Sequence, residues 1–316
     1  MMIKMKKIKR YITISFFLLG LASCQKDYDF FEEVSGMDSS WVATVSPQAP
    51  VMELKNILMR PLFADSFYAS GQSATILNNQ GLSCIFPGDL VTQTGTLATG
   101  TLQLNSYFFR NKGDFIRNQI STVSGGRLLE TKGVFYISLK KNEGMVSLSQ
   151  NTAQFQYEVP DFIPGLQVYF SNSPVNWQKT ISPQINNVIF SQNNYLLSAM
   201  QLGWIAAARP LDTASIPLQI SISLPPNYTN SNTCAWVVLN HKTSIVKMDA
   251  DIQAKKFSCS LLLPDQDITV VVLSKQAGSY FMGKIETITT MAASQTLAVT
   301  PVISSLQNLN AYLDSL

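Results

Sequence analysis

Alternating apolar and polar positions are the strongest pattern in this chain, and they are typical of β-strands. In the first half, Leu102 and Leu104 are separated by polar residues, and so are Phe135 and Ile137. The clearest run covers residues 216–224, where isoleucine and leucine alternate with proline, glutamine and serine. A period of two residues places the apolar side chains on one face of a half-buried strand. Many short strands of this kind predict antiparallel sandwiches.

Turn-forming sequences divide the strands and set the predicted boundaries. In the first half they are Asn78–Gly81, Gly125-Gly126 and Asn142–Gly144. In the second half, strand-like segments continue through residues 235–239, 257–263 and 268–273. The chain is therefore predicted to be all-β, with two antiparallel β-sandwich domains in tandem over residues 66–160 and 201–299. The polar residues 161–200 are predicted to form an ordered linker.

A helical period replaces the strand period at the end of the chain. Apolar residues recur there at steps of three and four, at Val302, Leu306, Leu309, Leu313 and Leu316. Thr300 can cap such a helix and Pro301 suits its first turn. We therefore predict an amphipathic helix over residues 300–316 that packs on the second sandwich. A second short helix is predicted around residues 51–58.

The first 23 residues have the layout of a secretory signal peptide. Lys4, Lys6, Lys7, Lys9 and Arg10 precede an apolar run from Tyr11 to Leu21. That run is shorter than the roughly 20 apolar residues that a membrane-spanning helix needs. The run ends in Leu21-Ala22-Ser23-Cys24, which resembles the lipobox of bacterial lipoproteins. The resemblance implies that residues 1–23 are removed and that Cys24 is acylated, which anchors the chain to a membrane.

An acidic stretch follows Cys24 and opens a predicted tether over residues 24–65. Lys26, Asp27 and Asp29 lie in it, and the stretch resembles the export signal of Bacteroidota lipoproteins. The resemblance implies an outer-membrane lipoprotein that faces the cell exterior. A simpler interpretation stays open, in which the acidic residues only keep the tether solvated.

The charge of the chain is concentrated in the signal segment. The whole chain has a formal net charge of +3, but residues 1–23 hold five of the 23 Lys and Arg and none of the 20 Asp and Glu. The remaining residues therefore carry 18 basic and 20 acidic side chains, a net charge of −2. Without a basic stripe to neutralise phosphates, the composition gives no support for nucleic-acid binding.

Residues 70–160 resemble a known β-sandwich. The succession is Leu82–Gly88, Thr99–Leu104, Asp114–Ile116, Thr122–Leu129 and Thr131–Ile137. It is similar to the sandwich domain shared by ankyrins and netrin receptors. Some eukaryotic relatives cleave themselves at a His-Phe-Ser or His-Phe-Thr junction, and this sequence contains neither tripeptide. The resemblance therefore implies a fold and no activity.

The second half carries two further resemblances. Leu202-Gly203-Trp204-Ile205 is similar to a segment of Bacteroidota lipoproteins that pair it with the first domain, but three alanines, Ala206 to Ala208, stand where those proteins commonly have polar residues. Asp212-Thr213-Ala214 resembles the O-glycosylation motif of exported Bacteroidota proteins. That resemblance implies modification of Thr213.

Three cysteines follow Cys24, and their positions favour a core role. Cys84, Cys234 and Cys259 each lie in phase with alternating apolar neighbours. An oxidising compartment would permit a Cys234–Cys259 disulfide, but the odd number and the core-facing phase favour free thiols. With one histidine in the chain and no metal-ligand spacing, we predict neither a metal site nor a cofactor.

The sequence predicts no catalytic residue, so the leading hypothesis is a non-catalytic surface lipoprotein that acts as a binding or structural module of the bacterial outer membrane, with a protein or glycan as its partner at the cell surface. The first alternative is an envelope hydrolase in which His241 acts with a serine or carboxylate. No Gly-x-Ser-x-Gly elbow accompanies it, and Asp249/Asp251 and Asp265/Asp267 are close only in sequence. The second alternative is carbohydrate binding by aromatic residues, namely Trp177, Trp204 and Tyr280.

Overall fold

The alternating segments form strands in the computed structural model, which describes residues 40–159, 161–211, 218–290 and 294–316. These residues contain four β-sheets, whose neighbouring strands are antiparallel with one exception, and three short helices. The predicted all-β class with a short C-terminal helix is therefore confirmed. No helix in this part of the chain has the length and apolarity needed to span a membrane.

The first sandwich is built from two sheets. Its larger sheet has the order β1-β5-β7-β14-β10-β11 with three short strands, β4, β6 and β8, at its margin. Their bounds are β1 Phe63–Ala69, β4 Val91–Thr92, β5 Gly100–Phe109, β6 Val123–Ser124, β7 Arg127–Lys141, β8 Gly144–Ser147, β10 Gln167–Ser171, β11 Gln178–Lys179 and β14 Gly203–Pro210. The smaller sheet has the order β12-β13-β9-β3-β2. Its strands are β2 Ala74–Leu77, β3 Leu82–Phe86, β9 Ala153–Glu158, β12 Val188–Ser191 and β13 Asn194–Ala199.

The second sandwich also has two sheets. One has the order β18-β19-β15-β22 and the other β17-β16-β20-β21-β23. The strands of the first are β15 Leu218–Ser223, β18 Asp249–Asp251, β19 Lys256–Leu262 and β22 Ser294–Ala298, and those of the second are β16 Thr233–Leu239, β17 Ile245–Lys247, β20 Asp267–Gln276, β21 Ser279–Ile288 and β23 Val302–Ser304. The exception to antiparallel pairing is β15 with β22, which are parallel.

Three apolar cores hold these layers together. Two of them each fill the interior of one sandwich. The third lies between the sandwiches and joins the outer face of the larger first sheet to Cys234, Trp236 and neighbouring residues of the second sandwich. The helices α1 (Pro50–Leu58), α2 (Lys112–Arg117) and α3 (Leu306–Asp314) contribute to this shared core. Because burying apolar area is the main stabilising contribution to folding, the shared core binds the two sandwiches firmly.

The structure differs from the prediction at the boundary between the sandwiches. Residues 161–200, predicted as a linker, supply β10 to β13 and complete both sheets of the first sandwich. Strand β14, predicted to open the second sandwich, lies between β7 and β10 of the first. It is covered on both faces, because Ile205 and Ala207 contact the first core while Ala206 and Ala208 contact the shared core. Ala206, Ala207 and Ala208 therefore lie in a central strand that is covered on both faces.

The C-terminal helix begins later than predicted. Ser305, rather than Thr300, is its N-cap and accepts a hydrogen bond from the Asn308 N–H at 3.1 Å. Val302 to Ser304 extend instead as β23 beside β21, which suits β-branched residues. Leu309 and Leu313 are fully buried, but against α2 and the shared core, so the helix contacts both sandwiches.

Part of the predicted tether belongs to the fold. The short helix expected around residues 51–58 is α1, which buries Val51, Leu54 and Leu58 against β16 and β20. Its Val51 N–H also donates to the Ser231 carbonyl at 3.0 Å. Strand β1 begins at Phe63, within the predicted tether as well. A tether shorter than the predicted residues 24–65 is therefore left before the folded body.

Candidate functional site

A wide cleft lies on the first sandwich, where three segments converge. We call it the Arg110 cleft; its volume is about 780 Å³. A smaller cavity of about 300 Å³ adjoins it and shares Arg60, Asn79, Gln80 and Tyr107 with it. The residues that line the Arg110 cleft are Arg60, Asn79, Gln80, Gly81, Tyr107, Phe108, Arg110, Asn111, Asp114 and Glu158. Most of these are polar, so the cleft offers hydrogen bonds rather than an apolar pocket.

One wall of the cleft is the turn between β2 and β3. Asn78 Oδ1 accepts hydrogen bonds from the N–H groups of Gln80 and Leu82, both at 2.9 Å. The Gln80 side chain crosses to β5, where its Oε1 accepts from the Phe108 N–H at 2.8 Å and its Nε2 donates to the Phe108 carbonyl at 3.3 Å. Hydrogen bonds from side chains to backbone groups of this kind fix the conformation of a turn. The wall is therefore held in place before any ligand arrives.

Arg110 presents its guanidinium at the mouth of the cleft. The guanidinium lies over the Phe108 ring, 4.7 Å from its centroid, and donates to the Gln80 carbonyl. Among the described residues Arg110 forms no ion pair with a carboxylate. Glu158, which lines the same cleft, forms none with a basic side chain. The cleft thus offers a ligand one positive group, the Arg110 guanidinium, and one negative group, the Glu158 carboxylate, which are not paired with each other.

A buried charge network forms the floor of the cleft. Asp114 and Arg117 of α2 have side chains only 8% and 1% exposed, and their closest charged atoms are 3.9 Å apart. Arg60 reaches Asp114 at 3.8 Å, and both arginines pair with Asp314 of α3. Burial raises the pKa of the Asp114 carboxyl, which the charges of Arg60 and Arg117 oppose. The network connects the cleft to the C-terminal helix.

A second cavity, the junction groove, lies where the two sandwiches meet and has a volume of about 440 Å³. Ser121, Val123 and Val175 line it from the first sandwich. From the second sandwich it is lined by Gln219, Val246, Lys247, Asp249, Ser258, Cys259 and Ser260. The Ser121 hydroxyl accepts from the Lys247 N–H at 3.3 Å, so the hydroxyl is already used in joining the sandwiches.

His241, the candidate base, lies at an exposed turn. Its ring is 81% exposed, and its Nε2 is 3.0 Å from Asp267 Oδ2. No serine hydroxyl hydrogen-bonds to it within the part of the chain that the structure describes. Asp249 and Asp251 lie on the exposed edge strand β18. A hydrolase triad would need a serine beside His241, so the geometry offers a histidine and an acid but no adjacent nucleophile.

The cysteines and aromatic residues occupy core positions. Cys84, Cys234 and Cys259 are buried free thiols, as predicted, and burial raises the pKa of each to about 12. Trp177 is buried, and its Nε1 donates to the Ser121 carbonyl at 2.8 Å. Trp204 packs against Phe109 and Tyr136 in the shared core. None of these groups faces the Arg110 cleft.

Several predicted residues lie outside the described part of the chain. They are Cys24, Lys26, Asp27, Asp29 and Thr213. Among the residues that are described, no group of three or more His, Cys, Asp and Glu side chains could hold a metal ion. The chain has no match among protein-family models, curated proteins or solved structures. The function of this protein is therefore inferred from the geometry of its own residues.

Proposed function

We propose that this protein is a non-catalytic binding protein of the outer-membrane surface, and that it takes a polar ligand into the Arg110 cleft. The observation that carries the proposal is a pair of charges, Arg110 and Glu158, that line the Arg110 cleft and form no ion pair among the described residues. A guanidinium held over an aromatic ring keeps its donors directed and suits a carboxylate, phosphate or carbonyl group of a ligand.

The rest of the lining supports a polar ligand. The side chains of Asn79, Asn111 and Tyr107 add amide and hydroxyl groups beside Arg110. A cleft of this volume has room for a small molecule or for one segment of a longer chain. Glycans and peptides present the alternating donors and acceptors that such groups recognise. Binding, rather than chemistry, is further supported by the cysteines, because thiols with a pKa of about 12 are protonated and poorly nucleophilic.

Photo-crosslinking on intact cells tests whether the cleft is occupied. We expect a photoreactive amino acid at Asn79, an exposed position on the cleft wall, to form a specific adduct. Introducing Arg110→Gln into the same protein should reduce the adduct by about tenfold, since a charge-assisted hydrogen bond contributes about 1.5–3 kcal/mol. The same photoreactive residue at exposed Gln253 of the second sandwich is the matched control. Equal labelling at both positions, or an adduct indifferent to Arg110→Gln, would contradict the proposal.

The proposal includes a lipid anchor on Cys24, supported by the charged and apolar segments before it and by the lipobox resemblance. Cells grown with an alkyne fatty acid should label the wild-type protein, and Cys24→Ala should abolish the label and retain the signal peptide. Cys259→Ala, which removes a cysteine far from the lipobox, should label as the wild type does. Labelling that survives in Cys24→Ala would exclude this anchor.

A further inference from the structure

A small cavity lies beneath helix α1 on the second sandwich, distinct from the Arg110 cleft. Its volume is about 150 Å³, and we call it the two-lysine cavity. Lys55 from α1 and Lys247 from β17 both line it. Asn230, Cys234 and Asp249 also line it, and most of its other lining residues are apolar. At about 30 Å³ per water, its volume corresponds to about five waters, which is enough for one small oxyanion.

The two ammonium groups in this cavity have few partners. In the part of the chain that the structure describes, Lys55 Nζ donates only to the thioether sulfur of Met52, at 3.5 Å, and a thioether is a weak acceptor. Lys247 Nζ has neither a hydrogen bond nor an ion pair among the described residues. Both lysines are partly buried. Burial lowers the pKa of Lys55, and the positive charge of Lys247 lowers it further.

The nearby negative groups do not neutralise this pair. Glu53, on the same helix as Lys55, forms an ion pair with Lys275 at 2.9 Å. Cys234 stays a neutral thiol, because burial raises its pKa to about 12 even with both lysines close to it. Asp249 lines the cavity but is exposed, and among the described residues it forms no ion pair with either lysine. Two like charges in a partly buried cavity repel each other, and an anion between them would reverse the sign of that interaction.

We propose that the two-lysine cavity binds a small tetrahedral oxyanion, phosphate or sulfate, between Lys55 and Lys247. The cavity already has fixed walls, because the Asn230 amide donates to the Val42 carbonyl at 2.7 Å and accepts from the Val42 N–H at 3.0 Å. The oxyanion would be free in solution or the end group of a larger molecule such as a lipid headgroup. Its binding would fasten α1, and with it the start of the chain's folded body, onto the second sandwich.

The competing interpretation is that Asp249 turns towards Lys247 and serves as its counter-ion. The two interpretations predict different oxyanion responses for Asp249→Asn. If an oxyanion binds, removing the competing carboxylate should tighten the binding. If Asp249 is the counter-ion and no oxyanion binds, the variant should leave the protein without any oxyanion response.

Thermal unfolding of the purified full chain tests the proposal. Phosphate or sulfate is titrated while chloride keeps the ionic strength constant. We expect a saturable rise in Tm, as for any ligand that binds only the folded state. Lys55→Gln and Lys247→Gln should each weaken the binding by about tenfold or more, since each removes one charged donor. Lys284→Gln, at an exposed position of β21 where Lys284 pairs with Glu286, is the matched control and should bind as the wild type does.

The proposal is overturned if the rise in Tm is not saturable, or if Lys55→Gln and Lys247→Gln bind like the control. Vesicles distinguish the source of the oxyanion. Co-sedimentation of protein produced without residues 1–24 with phosphatidic acid vesicles, lost in Lys55→Gln and absent with phosphatidylcholine, would indicate a lipid headgroup. Saturable phosphate binding without co-sedimentation would indicate a free oxyanion. Neither result depends on the Arg110 cleft, so this site and the proposed function succeed or fail separately.

Discussion

Replacing Gly113 with alanine is expected to lower the free energy of unfolding by about 3 kcal/mol, because the new methyl group has no room. A Cβ at position 113 would lie 1.7 Å from the carbonyl oxygen of Leu313 and 2.5 Å from its carbonyl carbon. Both are backbone atoms, so neither can move aside as a side chain would. Helices α2 and α3 would have to separate, which would expose Leu309 and Leu313 of the shared core.

Urea denaturation measures this effect, and Gly278→Ala is its matched control. A Cβ at position 278 would meet nothing within 4 Å, and the residue has an ordinary φ. Gly278→Ala should therefore change the stability by less than about 0.5 kcal/mol. In Gly113→Ala, hydrogen exchange should show loss of amide protection first in α3, because an element whose contact is destabilised unfolds locally before the whole protein does. Equal stability of the two variants would show that α2 and α3 do not touch as described.

The strands that were predictable are those whose pattern has a period of two. Ile220 and Ile222 of β15 point into the second core, as alternation requires. Strand β14 has no such pattern, since Ala206, Ala207 and Ala208 follow one another, and a strand covered on both faces need not alternate. Without alternation nothing in its sequence tells which sandwich it joins. Residues 161–200 were predicted as a linker for a similar reason, because their apolar residues are separated by long polar stretches.

The candidate sites were hardly predictable, because their residues are far apart in the sequence. Arg60 and Asp314, which meet below the Arg110 cleft, are separated by 254 positions. Lys55 and Lys247 meet only because α1 folds back onto the second sandwich. One local signal was present, since the turn at Asn78–Gly81 was predicted and became a wall of the cleft. Single arginines and lysines carry no periodicity, so only the tertiary fold shows which of them converge.

The charge network explains why α3 is held so firmly to the first sandwich. Arg117 donates to the Asn310 carbonyl at 2.9 Å near the end of α3 and pairs with Asp314 at 3.0 Å. A cation at the C-terminal end of a helix also interacts favourably with the helix dipole. The same guanidinium lies 3.9 Å from Asp114, so the buried Arg117 side chain contacts both α3 and the floor of the cleft.

Replacing Arg117 with methionine should therefore destabilise the protein by about 3–5 kcal/mol, the usual effect of removing one partner of a buried ion pair. Methionine fills a similar volume, so the loss is electrostatic rather than a cavity. Asp114 would stay buried with Arg60 as its remaining partner. The Asp114→Asn change made in the Arg117→Met background should recover part of the loss, because it removes the uncompensated carboxylate. No recovery in the double variant would show that Asp114 and Arg117 are not coupled.

The destabilisation should also depend on pH, in a direction set by Asp114. Burial raises its pKa above the ordinary value of 3.8, so the folded protein holds the proton of Asp114 more tightly than the unfolded chain does. The stability that protonation of Asp114 contributes is fully present below pH 3.8 and is lost as the pH rises through the folded-state pKa. Without Arg117 that pKa rises further. The difference in unfolding free energy between Arg117→Met and the wild type should therefore be largest near pH 7 and shrink towards pH 4. Urea denaturation at each pH measures this difference. A difference that stayed constant with pH would show that Arg117 acts through packing rather than through its charge.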